Sequence, residues 1–388
     1  MAIGNPFSGL VTEQWYVKEV TAGVTPETPA FSRVVYTGGL PALIKDSFQS
    51  EVLDGTREIT DVTSGNQQVN GEYSVEFAPL IHDDFIEGAM SSTWQAGYAD
   101  TGIEITVDPV LKTYTRTAGD FIVDGFTIGE LTAFTTLTDG NAAGFIITSV
   151  TATVLTGAYI IHDLTVETAT TDVETGRQIV IGSECKTYSI LTVFKGTCGA
   201  VEQYQLARGV EFSGFNYDAT VNSNVAGSFP FIGRGMSFPD TLPVGSTFKA
   251  EIATKPFNGV NARVVTDGVL SAFVSGVTVT NDNESSAQFF LNDTETSFIE
   301  KGRATNTFSL AAMMCSTESL EKFAAGADSE IISIMSNKYG TMSVTFPRAF
   351  LSSATAEVSG ASSVTQTIEG TGQGGVGQSS IIIQQTTK

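Results

Sequence analysis

Two histidines, three cysteines and 42 acidic side chains set against 20 Lys and Arg are the groups from which this 388-residue chain could build a reactive site. His82 is followed at once by Asp83 and Asp84. Consecutive helix positions point in diverging directions, so the trio is expected to cap and solvate a helix start rather than hold a metal. His162 has no ligand at metal spacing beside it. Cys185, Cys198 and Cys315 contain no CxxC pair and read as reduced, mostly buried thiols, with a Cys185 to Cys198 bridge left open. The acidic run NDNESSAQFFLNDTETSFIEKG, residues 281–302, lacks the oxygen-ligand spacing of a calcium loop and reads as solvated hairpin turns. GTGQGG at 370–375 fits a dinucleotide fingerprint by letter, but it lies in a Gly/Gln/Ser stretch with no strand before it or helix after it. There is no GxSxG elbow, Walker loop or HExxH, and no carboxylate pair stands apart from the rest. The expectation is a protein without catalytic residues, metal ligands or cofactor.

The formal charge of −22 opposes the counterion release by which basic surfaces grip nucleic acid, so a conventional DNA or RNA binder is excluded. The same acidity on a wall would let duplex DNA pass without sticking. The first residues lack a basic region followed by an apolar run, so no secretory signal is expected.

The elements that position these side chains are mostly strands. In VNGEYSVEFAPLIHDDFIEGAM, residues 69–90, Tyr73, Val75 and Phe77 alternate with Glu72, Ser74 and Glu76, as in a half-buried strand. Pro79 ends the ladder, and a short helix follows with Phe85, Ile86, Ala89 and Met90 on one side, weakened by Gly88. The outline returns 235 positions later in ATNTFSLAAMMCSTESLEKFAAG, residues 304–326. There Phe308, Leu310 and Ala312 alternate with Thr307, Ser309 and Ala311. Ser316 can cap a helix carrying Leu320, Phe323 and Ala324, Glu318 pairs with Lys322, and Gly326 is a stop. The repeat predicts two domains of one kind.

Between the copies, residues 124–168 read as four or five short strands, a small barrel or sandwich inserted at a loop tip and projecting from the body. Within it the uncharged run at 141–162 reads as two paired strands turning near Gly157, not as a membrane span. The expected division is 1–117 and 171–245 for the first domain, 118–170 for the insertion, 246–370 for the second domain and 371–388 for a C-terminal arm.

The stretch VNGEYSVEFAPLIHDDFIEGAMSSTW, the later EKGRATNTFSLAAMMCSTESLEKFAAG and the closing YGTMSVTFPRAFLSSATAEVSGASSVTQTIEG resemble the tail tube proteins of long, non-contractile-tailed bacteriophages. The inserted segment is similar to a small β module that several of them carry. The resemblance implies a mainly β fold: two tandem tail-tube β-sandwich domains, each with a short helix, plus an inserted small β-barrel or sandwich. It implies a non-enzymatic virion protein, made in the host bacterial cytoplasm, that self-assembles into stacked rings. The bore of those rings carries the genome at ejection without binding it specifically. Two tandem copies would make each ring a trimer of pseudo-sixfold appearance. A tape-measure protein, a tail terminator and tail-tip proteins are the implied partners, and no membrane is. On this reading Glu72 and Glu76 face the lumen, although their counterparts Thr307 and Ala311 are not acidic. Ile381, Ile382 and Ile383 are expected to contact the adjacent ring by adding to a neighbour's sheet. Two other readings stay open to the sequence: a surface or adhesion protein of β-sandwich domains whose inserted module binds a glycan, and a β-rich hydrolase using unlocalised carboxylates, which has only composition behind it.

Overall fold

A computed structural model describes residues 7–51, 59, 61–138, 140–158, 163–196, 202–271, 273–358, 363–375 and 377–387. The fold is mainly β, with two α-helices among the described residues. In chain order the first part holds β1 (Glu13–Lys18), β2 (Ala30–Arg33), β3 (Ala42–Gln49), β4 (Val62–Glu76) and α1 (Asp83–Met90). Six strands then form a module: β5 (Ala99–Asp108), β6 (Thr113–Arg116), β7 (Leu131–Phe134), β8 (Phe145–Val150), β9 (Val154–Ala158) and β10 (Glu167–Thr175). The chain returns through β11 (Arg177–Val180), β12 (Tyr188–Phe194), β13 (Gln203–Phe212), β14 (Gly214–Thr220), β15 (Ala226–Gly233), β16 (Gly235–Ser237) and β17 (Thr247–Phe248). The second part holds β18 (Ala262–Thr266), β19 (Val269–Leu270), β20 (Val274–Asp282), β21 (Ser286–Gln288), β22 (Phe298–Glu300), β23 (Thr305–Met313) and α2 (Glu318–Ala325). It closes with β24 (Asp328–Asn337), β25 (Gly340–Glu357), β26 (Thr365–Gly372) and β27 (Ile382–Thr387).

Two units of the same topology emerge from the pairings. In the first, β1, β12, β13 and β16 make one sheet and β3, β4, β15 and β14 the facing one. In the second, β18, β24, the first half of β25 and β27 correspond to the former; β20, β23, β26 and the second half of β25 correspond to the latter. The registers coincide: Gly38 bridges Ser74 as Thr278 pairs with Ser309. Likewise Ser47 pairs with Ser64 and Phe48 with Thr63, as Ala287 pairs with Ile299 and Gln288 with Phe298. Helix ends match too, since Ser91 (φ 50°) and Gly326 (φ 63°) both take the left-handed conformation that frees the last carbonyls.

The alternation read at 73–77 is present, with Tyr73 buried against Phe231 and Phe77 against Phe229. α1 plugs this sandwich by driving Phe85 among Tyr16, Tyr73 and Phe212. Gly88 is required there rather than merely tolerated, because a Cβ would come within 2.8 Å of the Phe212 ring. α2 lacks any buried residue; its cap position is Thr317, not Ser316, and neither helix has a side-chain N-cap bond. One hydrophobic core runs through both units, from Tyr73 and Phe212 to Phe308, Met335 and Phe346.

The module is a closed barrel in the order β10, β5, β6, β9, β8, β7, packed around Tyr114 and Phe145, whose rings stack at 4.3 Å. It takes in strands on both sides of 118–170, because β5 and β6 supply the wall that β9 and β10 need for closure. The turn between β8 and β9 falls at 151–153, and Gly157 lies inside β9 where a Cβ would strike Phe145. No helix among the described residues is long and apolar enough to cross a membrane. Instead of simply projecting, the barrel is seated on the second unit: Leu131 and Ile146 pack with Val265, Ile332 and Ile334, and Leu131 N donates to Gln384 Oε1 at 3.0 Å.

Candidate functional site

The groups best suited to chemistry are committed to structure. His82 is 2% exposed, ringed by Phe77, Phe85 and Phe229, with Nε2 3.2 Å from the Val35 carbonyl. His82 does hold the N-cap position of α1, but without a side-chain cap bond, and burial, with the Val35 bond opposing, pushes its pKa down to about 4, so it is a neutral core residue rather than a solvated one. Asp83 pairs with Arg177, while Asp84 takes a hydrogen bond from Tyr16 (2.8 Å) and a salt bridge from Lys18 (2.7 Å). The expectation of mostly buried thiols is corrected for two of the three: Cys185 and Cys315 are exposed. Cys185 Sγ donates to Glu211 at 3.6 Å, and partial burial followed by that carboxylate pushes the thiol up, away from nucleophilic reactivity. His162 and Cys198 lie outside the described residues. Among the described residues no group of three His, Cys, Asp or Glu is arranged to hold a metal.

Residues 281–302 are not simply solvated turns. Asn281 is buried with its amide on Asn306 Oδ1 (2.8 Å), and Asn283 Nδ2 donates to Ala89 O (2.6 Å). Lys301 Nζ donates to Gly88 O (3.0 Å) and Ser91 Oγ (2.8 Å), closing the carboxyl end of α1. Burial pushes Lys301 below the usual lysine range and Glu211 above the usual carboxylate range, each partly offset by the other at 3.9 Å. The glycines at 370–372 are likewise part of a strand, β26, held between β23 and β25.

What remains unaccounted for by folding alone is the broad face of the inner sheet. The two units join edge to edge through β14 and β20, paired from Gly214 with Asp282 to Thr220 with Gly276. The result is one run of eight strands: β3, β4, β15, β14, β20, β23, β26, β25. Directly opposed residues of antiparallel strands share a face, so rows can be followed across it. One row is Ser74, Ser228, Asn216, Thr280, Thr307, Thr371 and Phe350. The next is Glu76, Ala226, Asp218, Thr278, Ser309, Glu369 and Ser353. Glu72, opposite Pro230, lies on the same face, and Glu76 accepts from Asn224 Nδ2 at 2.9 Å. Apart from Asn216, Ala226 and Phe350, these rows hold hydroxyls and carboxylates, and they contain no Lys or Arg. Thr307 and Ala311 keep the face polar or small without charge, and the acids of the second unit stand elsewhere, at Asp282 and Glu369. Sequence reasoning missed Asp218 and Glu369, whose shared row is visible only once the strands are paired.

The sheet ends in two open edges. Among the described residues no strand pairs with the outer side of β3 or with that of β25 from Ser352 to Glu357. Beyond Ala42, β3 and β4 continue as a hairpin whose β3 strand is exposed throughout, presenting Leu43, Ile44 and Phe48 with Val62 of β4, while half-buried Asn66 and Gln67 of β4 hydrogen-bond to Asp293 and Thr294 of the same chain. The isoleucines at the C-terminal end lie within the sheets of their own chain. Ile381 and Ile383 are buried, and β27 lies between β25 and β11 of its own chain. Burying both side chains in the shared core, with a ladder on each side, outweighs leaving the strand as a free arm.

A family model described as phage tail tube protein matches residues 9–372. No curated protein matches.

Proposed function

Because the chain belongs to the phage tail tube protein family, structural components of the virion tail that self-associate, we propose that three copies close edge to edge into a ring with an acidic bore. The observation that carries this is the eight-stranded inner sheet: one unit-to-unit junction, β14 to β20, is already made within the chain. Its two open edges, β25 and β3, are the topological counterparts of β14 and β20. Repeating the same junction between chains leaves no edge when the ring shuts, and closure removes the aggregation hazard of long unpaired strands. Three chains then supply six like wedges.

The face bearing Glu72, Glu76, Asp218, Asp282 and Glu369 lines the bore on this reading. Phosphates within a Debye length, about 8 Å at physiological salt, are repelled by it, so DNA slides without a binding site. Rings stack into the tube, a tape-measure protein occupies the lumen before DNA does, and terminator and tip proteins close the ends. The protein is made in the host cytoplasm and catalyses nothing. Negative-stain microscopy with light scattering tests the reading: hollow annuli or tubes whose smallest closed particle has the mass of three chains are expected. A monodisperse monomer without a bore at high concentration would overturn it.

A further inference from the structure

The two helices occupy equivalent places but differ in cover. The carboxyl end of α1 is sealed by the β21–β22 segment of the other unit, through Lys301, Asn283 and the buried Ile299. α2 is bare: Phe323 is 40% exposed and Met313 48%. Beneath it lies an open cavity of ≈ 230 Å³ lined by Leu270, Leu310, Ile331, Leu351 and Ile368. The first unit's counterpart of β21–β22 is the distal β3–β4 hairpin, in the same register. Every residue of β3 is exposed.

We propose that the distal β3–β4 hairpin of one copy seats on α2 of the adjacent copy in the ring, over this cavity, as β21–β22 seats on α1 within the chain. The inference rests on the ring reading, since the β25 to β3 junction brings the two together. Register fixes the contact. Leu43 stands where Asn283 does and Asn66 where Lys301 does; Phe323, Ala324 and Gly326 stand where Gly88, Ala89 and Ser91 do. The substitutions fit the change of partner. Polar Asn283, which meets a helix carbonyl beside a packed core, is replaced by apolar Leu43, which suits the apolar wall of Leu310, Ile331 and Leu351 in a cavity that also carries Lys322 and Gln366. Cover over Phe323, Met313 and the apolar wall of the cavity buries a contiguous apolar area of the kind that marks an interaction site.

The test uses the full chain carrying Cys185→Ser, Cys315→Ser, Leu43→Cys and Ala324→Cys, both exposed native thiols being removed, treated with a short bis-maleimide after assembly and run on a denaturing gel beside each single variant on the same background. Covalent dimers and trimers, ending at the trimer and at least 10-fold above either single variant, are expected. Rings visible by microscopy without covalent species would overturn the hairpin contact and leave the ring reading intact. Bands continuing beyond the trimer would also overturn it, because the hairpin would then join rings instead of neighbours within one. Failure of the unsubstituted chain to form rings would remove both. Hydrogen exchange on the unsubstituted chain gives a second measure: amides at 42–49 and 318–325 should both slow at least 10-fold on assembly, and unchanged rates at either would sink the proposal.

Discussion

Lys301 Nζ lies 3.0 Å from the carbonyl oxygen of Gly88, so a lysine of the second unit terminates the helix of the first. The ammonium satisfies a carbonyl that the helix itself cannot, and it meets the negative end of the helix dipole. Lys301→Met keeps the stem and removes both hydrogen bonds. It should lower stability in urea by about 1.5–3 kcal/mol, the range for hydrogen bonds to a charged group. An unchanged unfolding midpoint would mean that the contact contributes nothing.

His82 predicts a pH dependence. Its pKa is about 4 in the fold against an ordinary 6.5, so between those values the unfolded chain binds the extra proton. The stability contributed by keeping it neutral is present above pH 6.5 and is lost as pH falls toward 4, by about 3 kcal/mol in full. His82→Gln should be less stable at pH 7 and should flatten this part of the profile. Parallel profiles for the two proteins from pH 7 to 4.5 would refute the assignment.

Asp218 and Glu369 lie in one row of the inner face and are exposed. The double variant Asp218→Lys, Glu369→Lys should change stability by no more than about 0.5 kcal/mol, as surface substitutions do. Assembled particles should then hold a short DNA duplex at low salt and release it as salt rises, whereas the unsubstituted protein should hold none. Retention of DNA by the unsubstituted particles would contradict an acidic, non-adhesive bore.

Ile383 tests the placement of the last strand. Buried in its own chain at 1% exposure, it should cost about 2–5 kcal/mol when replaced by Ala, and the loss should appear in unassembled protein. If the unassembled variant unfolds like the parent and only assembly suffers, the strand belongs to a neighbour after all.

These outcomes separate what local sequence could say from what it could not. Tyr73, Val75 and Phe77 announced their strand because a half-buried sheet writes a period of two into the chain, and the repeat at Phe308 and Leu310 was legible for the same reason. His82 misled because its neighbours in sequence are aspartates while its neighbours in space are Phe77 and Phe229, supplied by strands far along the chain. The isoleucines at 381–383 looked free because their ladder partners, Val180, Ile179 and Thr345, lie elsewhere in the sequence. The barrel's reach back to Ala99 was hidden similarly: β5 is a regular strand by pattern, and only pairing with β10 reveals which body it joins. The face with Asp218 and Glu369 is a property of register, which composition does not encode.

The place of β11 has a consequence for how the molecule is made. Arg177 in that strand shares a hydrogen bond with Gln385, 208 positions further on. At translation speeds of about 5–20 residues per second, roughly 10–40 s separate the emergence of the two. Throughout that interval a strand edge destined for the interior of a sheet waits in the crowded cell without its mate. Slower synthesis therefore lengthens an aggregation-prone interval in the life of the chain.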